Sequence, residues 1–205
     1  LSADARATVV LLAGGPATRL PGKLALDVDG EPMLVRSYRR LTARGWPCVI
    51  SARAPLAPPL ARALGDPQVA LDEIADGGPL AGLRSAAQAV RTPLFFAAAA
   101  DLPNLTADFA CALLAAYDAA PAPKPCAVLP TWEDGHVEPL AALYEREAFV
   151  RGSGAALAAG KRKVTAALDC LRVLAYPVKA RDASTLLNVN TPADFDALRR
   201  TGAAS

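Results

Sequence analysis

Apolar residues come in short runs along the chain. ATVVLL at 7–12 and LFFAAAA at 94–100 are apolar throughout, the pattern of strands buried on both faces. PCVIS at 47–51, QVALD at 68–72 and CAVLP at 126–130 read as further strands. Helical spacing fills the gaps. Pro32 opens a helix to about Arg44, with Leu34, Tyr38 and Leu41 on one stripe and Gly45 after its end. A short helix follows at 57–64, another begins at Gly78-Pro79, and Thr106 caps a third, whose positive end Asp108 favours. Asp29-Gly30 and Asp134-Gly135 signal turns. The later chain predicts a strand in EPLAALY, two short helical pieces over about 145–159, a strand in LRVLAYPV and a short extended LLNVN. Thr191-Pro192 starts a last helix, with Asp194 as a variant capping-box acid.

Strands alternating with helices through residue 130 imply a mostly parallel sheet covered on both faces. Such sheets bind ligands beyond the carboxyl ends of their strands. Three of those ends carry chemistry: Leu12-Ala13-Gly14-Gly15, Asp72 and Asp101. With 205 residues, no repeat and no Gly/Ser-rich linker, the chain suits a single α/β domain.

Composition narrows the function classes. Apolar residues make up 53%, which excludes a disordered chain, and the net charge of +2 argues against a grip on long nucleic acid. No apolar run is long enough to span a bilayer, and the first ten residues lack a cleavable signal pattern, so a cytosolic protein without a membrane partner is expected. Cys48, Cys111, Cys126 and Cys170 are widely spaced beside a single histidine, which disfavours structural zinc; they are expected to be small buried residues.

The stretch VVLLAGGPATRLPGK, residues 9–23, is the most informative. Gly14 and Gly15 let the backbone turn sharply and approach a ligand, and amides in such a turn can cradle phosphate oxygens. Arg19 and Lys23 add positive charge just beyond. These parts suit a triphosphate, yet neither the dinucleotide fingerprint nor the Walker loop is present.

The stretch resembles the nucleotidyltransferase signature L-A-G-G-x-x-x-R-[ML]-G-x-x-K, and more closely that of the molybdenum cofactor guanylyltransferases. DEIADGGPLAGLRSA at 72–86, FFAAAADLPNL at 95–105, EPLAALY at 138–144 and LNVNTPADFDAL at 187–198 resemble further family landmarks in the same order. The resemblance implies a three-layer α/β/α, Rossmann-like nucleotidyltransferase fold with a mostly parallel mixed sheet. Residues 7–130 would form its nucleotide-binding half and 131–200 its acceptor-binding half. The implied reaction moves GMP from GTP to the phosphate of molybdopterin and releases pyrophosphate. Leu12, Ala13, Gly14 and Gly15 would contact the nucleotide with backbone, Arg19 and Lys23 would meet its phosphates, and Arg53, Asp72 and Gly78 would hold the rest. Asp101 would bind Mg²⁺, and Asn188 and Asn190 would lie near the pterin. Molybdoenzyme-maturation proteins are the implied protein partners.

Chemistry supports these residue types. Two polyanions must meet, so a divalent ion on a hard carboxylate and cations beside the leaving group are needed, with no covalent nucleophile. Plainer roles compete: Asp72 as a solvated acid, Gly78 and Gly82 as packing glycines, the two asparagines as turn formers. His136 reads as an exposed loop residue and 161–163 as a solvated basic run, while Trp132 lies in a turn where its ring could stack on a pterin. The sequence departs from the family at two points. RLPGK is one residue shorter than R-M-G-x-D-K, and SARA places Arg53 where the family has asparagine. Arginine can donate to guanine O6 and N7. A cytidylyltransferase on the same pterin, a transferase for a sugar phosphate or phospholactate, and a nucleotide-binding accessory protein remain alternatives.

Overall fold

The computed structural model describes residues 6–14, 22–74 and 77–202, the last three as backbone only. Its main sheet holds seven strands. Four are parallel: β1 (Ala7–Leu12), β4 (Cys48–Ala52), β5 (Gln68–Leu71) and β6 (Leu94–Ala99). The other three are β7 (Ala127–Thr131), β8 (Ala141–Glu145) and β9 (Val173–Pro177), and the spatial order is β5-β4-β1-β6-β8-β7-β9. Only β8 runs against its neighbours, so the sheet is mixed and mostly parallel, as expected. A small separate hairpin, β2 (Asp27–Val28) with β3 (Glu31–Pro32), closes over the Asp29-Gly30 turn.

Alternation along the central strands sorts the core into two layers. Val9 and Leu11 of β1 join Phe96 and Ala98 of β6 on one face, and Val10 and Leu12 join Phe95 and Ala97 on the other. The first face packs α1 (Met33–Thr42), α2 (Pro58–Ala63) and α4 (Ala107–Ala119), through residues that include Leu34, Leu60 and Phe109. The second packs α3 (Gly78–Ala89) and α5 (Arg146–Ala158) through Leu80, Leu83, Phe149 and Ala156. The result is the three-layer arrangement that the apolar runs imply. Phe95, Tyr144 and Phe149 form the aromatic centre of the second layer, with ring centroids 4.8–5.3 Å apart. The Tyr144 hydroxyl is satisfied there by donating to the Pro139 carbonyl at 2.8 Å, and its burial disfavours ionisation.

Local signals behave as read at several ends. Thr106 Oγ1 accepts from Phe109 N, and Gly45 adopts φ 77° after α1. Asp194 accepts from the Asn190 and Thr191 amides, which holds its carboxyl below the usual range, and opens α8 (Pro192–Gly202).

Other expectations need correction. Arg146–Ala158 forms one helix, not two pieces, and the Glu145 carboxylate caps its start by accepting from the Glu147 and Ala148 amides. LLNVN is entered by a single turn at Ser184–Leu186 that includes its first leucine, and Leu187 after it is extended, as read. Short helices α6 (Thr165–Leu168) and α7 (Ala180–Ala183) lack a long apolar stripe and were not foreseen. The cysteines are not uniformly buried: Cys48, Cys111 and Cys126 are partly covered and Cys170 is exposed. Burial pushes the Cys48 thiol up to about 12, so it stays protonated and unreactive.

Candidate active site

The chain runs from β1 outward to β4 and β5, then returns to place β6 on the other side of β1. The loops after β1 and β6 therefore diverge, and a crevice opens between them. The Ala100 amide donates to the Leu12 carbonyl at 3.0 Å and keeps the two strand ends in register at its floor. Leu12, Ala13, Gly14, Lys23, Arg53 and Asp101 line a cleft of ≈ 390 Å³ there, with Leu24, Leu60, Pro79 and Leu140 as apolar walls. The small Ala99 side chain at its base leaves the space open. No single stretch of sequence marks the apolar walls, because they come from four separate elements.

Lys23 follows Gly22, whose φ of 70° is a turn that glycine adopts without strain, and begins a short 3₁₀ turn to Ala25. Its ammonium lies 2.7 Å from Asp101 Oδ2, with both side chains largely covered. The same ammonium donates to Asn190 Oδ1 at 3.0 Å. The shortened loop thus still delivers Lys23 to the strand-end aspartate. The contact with Asn190, 167 positions away, had no signature in local spacing. It forms because the Val189 amide donates to the Asp101 carbonyl at 2.8 Å and draws the C-terminal segment to the rim. Asn188 is exposed and bonds to no described residue. Gly15 and Arg19 lie outside the described residues.

Two expectations about the first loop are refined. The Ala13 amide is engaged by the Ser51 carbonyl at 2.8 Å, so that donor belongs to the sheet. Gly14 is the first residue of the loop whose amide meets no described acceptor. A Cβ on Gly14 would touch Arg53 Cγ at 3.4 Å, so the arginine stem lies along the bare backbone. Arg53 is exposed and ion-pairs with no described residue.

Asp72 sits beside this group rather than in the cleft lining. Ser51 Oγ donates to its Oδ1 at 3.3 Å, and a Cβ on Gly82 would come within 2.7 Å of the same oxygen. Gly82 therefore lets α3 approach the carboxylate, a packing role with a functional consequence. Burial raises the Asp72 pKa above the usual carboxylate range, against the opposing pull of Ser51 and of the Arg53 charge. Gly78 has φ 67°, and a Cβ on it would meet the Arg162 carbonyl at 3.1 Å. Its open side receives the 160–163 segment, whose Arg162 carbonyl accepts from the Leu80 amide at 3.3 Å. The basic run is exposed at its side chains, as expected, but its backbone docks on the start of α3.

A testable consequence concerns Asp72. Its folded pKa lies above the unfolded value, so its contribution to stability is complete below about pH 4 and is lost as pH rises through the folded value. Asp72→Asn keeps an acceptor for Ser51 and removes that cost. Melting curves should show the variant gaining on the parent as pH rises above about 4. A difference that stays constant with pH would refute the buried-charge account.

No cluster of three or more His, Cys, Asp or Glu suited to a metal occurs among the described residues. Magnesium carried by a nucleotide does not need one, since it keeps several waters and takes one or two carboxylates plus phosphates. Asp101 fits that demand: Lys23 engages Oδ2, and Oδ1 meets no described donor.

A crevice at the sheet's switch point, with bare backbone, a lysine and a strand-end carboxylate, defines a class: the α/β nucleotidyltransferases, which work with a divalent cation. The chain belongs to the family with the MobA-like NTP transferase domain, whose model matches residues 9–173. It is 38% identical to a molybdenum cofactor guanylyltransferase from Burkholderia ambifaria, over 94% of this chain and 95% of that one. It is 32% identical to a probable molybdenum cofactor guanylyltransferase from Natronomonas pharaonis, over 94% and 96%. Among solved structures, the fold is similar to molybdopterin-guanine dinucleotide biosynthesis protein A from Archaeoglobus fulgidus, with a TM-score of 0.78 at 22% identity, covering 97% of this chain and all of that one. No helix among the described residues is long and apolar enough to cross a membrane.

Proposed function

We propose that this nucleotidyltransferase transfers GMP from GTP to the phosphate of molybdopterin and releases pyrophosphate. The observation that carries the reading is the Lys23–Asp101 pair at 2.7 Å in the crevice beside Gly14 and Arg53. The relatives' names supply the transferred guanylyl group and the molybdenum cofactor as its acceptor.

In this mechanism an oxygen of the acceptor phosphate attacks the α-phosphorus. The bond from that phosphorus to the bridging oxygen breaks, and pyrophosphate leaves with the electron pair. An ionised phosphate is already a nucleophile, so no general base is required. Mg²⁺ bound at Asp101 would neutralise phosphate charge and align the reacting oxygens. Lys23, beside Asp101 in the crevice, would place its charge on the leaving pyrophosphate. Gly14, whose amide meets no described acceptor, offers it to a phosphate oxygen without a Cβ in the way. Arg53 donates to O6 and N7 of guanine, taking over from the family's asparagine. Asn190, already on Lys23, and exposed Asn188 border the acceptor.

The test compares nucleotides. GTP with Mg²⁺ should raise the melting temperature more than CTP, ATP or UTP, by about 2.7 kcal/mol of stability at roughly 100 times its dissociation constant. Pyrophosphate should then appear only when molybdopterin is added. An equal response to CTP would move the assignment to a cytidylyltransferase, and binding without pyrophosphate release would make the chain an accessory protein.

A further inference from the structure

β7 runs parallel to β6, so its carboxyl end emerges on the same edge of the sheet as Asp101. A second cleft opens there, of ≈ 620 Å³, lined by residues that include Trp132, His136, Glu138, Val178 and Lys179. It lies beyond β8, on the side away from Arg53. Glu138 is two residues before Leu140, a wall of the nucleotide cleft, so a span of roughly 7 Å of chain connects the two cavities.

Glu138 is unusually well held for a loop carboxylate. Its amide donates to the Pro130 carbonyl at 3.0 Å, and its own carbonyl accepts from Ala141 N at 3.1 Å. Its side chain is 16% exposed. The Trp132 indole N–H donates to Oε1 at 3.1 Å, and His136 Nε2 stands 3.4 Å from that oxygen. Trp132 is the one described hydrogen-bond donor to Oε1, His136 lying near it without a hydrogen bond, and Oε2 meets no described donor. Oε2 therefore remains open to the donors of a ligand in the cleft.

We propose that Glu138 receives the amino-pyrimidinone edge of the pterin, with Trp132 fixing the carboxylate and offering its ring to the pterin plane. That edge presents an N–H and an NH₂ side by side, which a carboxylate accepts with its two oxygens. Oε1 retains a lone pair after bonding Trp132. Guanine carries the same edge, so position must decide between them: the second cleft lies across Asp101 from Arg53, where the acceptor would approach. The inference rests on the pterin acceptor proposed above and adds where its head group binds.

Glu138→Gln is the direct test. Its amide oxygen can still accept from Trp132, and that bond then turns the NH₂ toward the ligand, donor against donor. Isothermal titration with 6-hydroxymethylpterin monophosphate should show about tenfold or more weaker binding, with GTP-Mg²⁺ affinity unchanged within about twofold. Unchanged pterin affinity overturns the inference, as does a loss confined to GTP, which would assign the edge to guanine. A parent protein that binds GTP but not the pterin phosphate overturns it too. A parent that binds no GTP overturns the reaction instead. Should Glu138→Gln melt well below the parent, Trp132→Phe keeps an aromatic ring and removes the anchoring N–H. It should weaken pterin binding several-fold, and full pterin affinity in that variant would overturn the inference.

Discussion

Asp101→Asn should reduce pyrophosphate release by about 100- to 1000-fold, the range typical of removing one electrostatic contact from a transition state. Asparagine has nearly the same shape, so the effect isolates charge. The backbone bonds of the segment are unaffected, since Val189 donates to the Asp101 carbonyl and not to its side chain. Lys23 keeps Asn190 as a partner and can use the new amide oxygen, so the melting temperature should change little. Raising Mg²⁺ should recover part of the rate if Asp101 holds the cation, because a weakened site can be filled by mass action. A variant retaining more than about a tenth of parental turnover at saturating GTP would remove Asp101 from the chemistry.

Phe95→Ala should cost about 3–5 kcal/mol of stability, the usual range for deleting a buried aromatic side chain. Phe95 is fully buried and contacts both Tyr144 and Phe149, with centroids at 5.3 Å in each case. It pairs with Tyr144 across the β6–β8 register, where the single reversed strand enters the sheet. The loss therefore combines a cavity with the two ring interactions. At about 2–4 °C per kcal/mol for a chain of this size, the melting temperature should fall by roughly 6–20 °C. Phe95→Leu fills more of the space and should lose less. A urea midpoint that scarcely moves for the alanine variant would mean that this aromatic layer is not the core of the second face.

Much of the architecture was legible because it depends on local patterns. Unbroken apolar runs at 7–12 and 94–100 can be hidden only between two helical layers, and strand–helix alternation leaves few alternatives to a parallel sheet. The ends of α1, α4 and α8 were readable from Gly45, Thr106 and Asp194, whose signals act within a few residues. The helix at 146–158 is single although Gly152 and Gly154 weaken local helix propensity. Packing reverses that: a Cβ on Gly152 would meet the Ala167 carbonyl at 3.0 Å, and one on Gly154 would meet the Arg84 guanidinium at 3.4 Å.

The nucleotide site was legible as residue types at strand ends, but its wiring was not. Lys23 with Asp101, and Lys23 with Asn190, are contacts between distant parts of the chain. The engaged Ala13 amide depends on where β4 happens to end, and the raised Asp72 pKa depends on how closely α3 approaches. Nothing local marks Glu138 at the start of EPLAALY; the Trp132 indole bond to its carboxylate is what singles it out.

The sequence by itself determined the layering of the molecule, the strand ends that bear its chemistry and the family to which it is similar. These follow from periodicity and from residue types whose preferences act over a few positions. Only the tertiary structure decided which charges meet, which amides the sheet engages and which carboxylate keeps an open oxygen. Those outcomes depend on distances between elements that close-packing sets and that no run of neighbouring residues encodes.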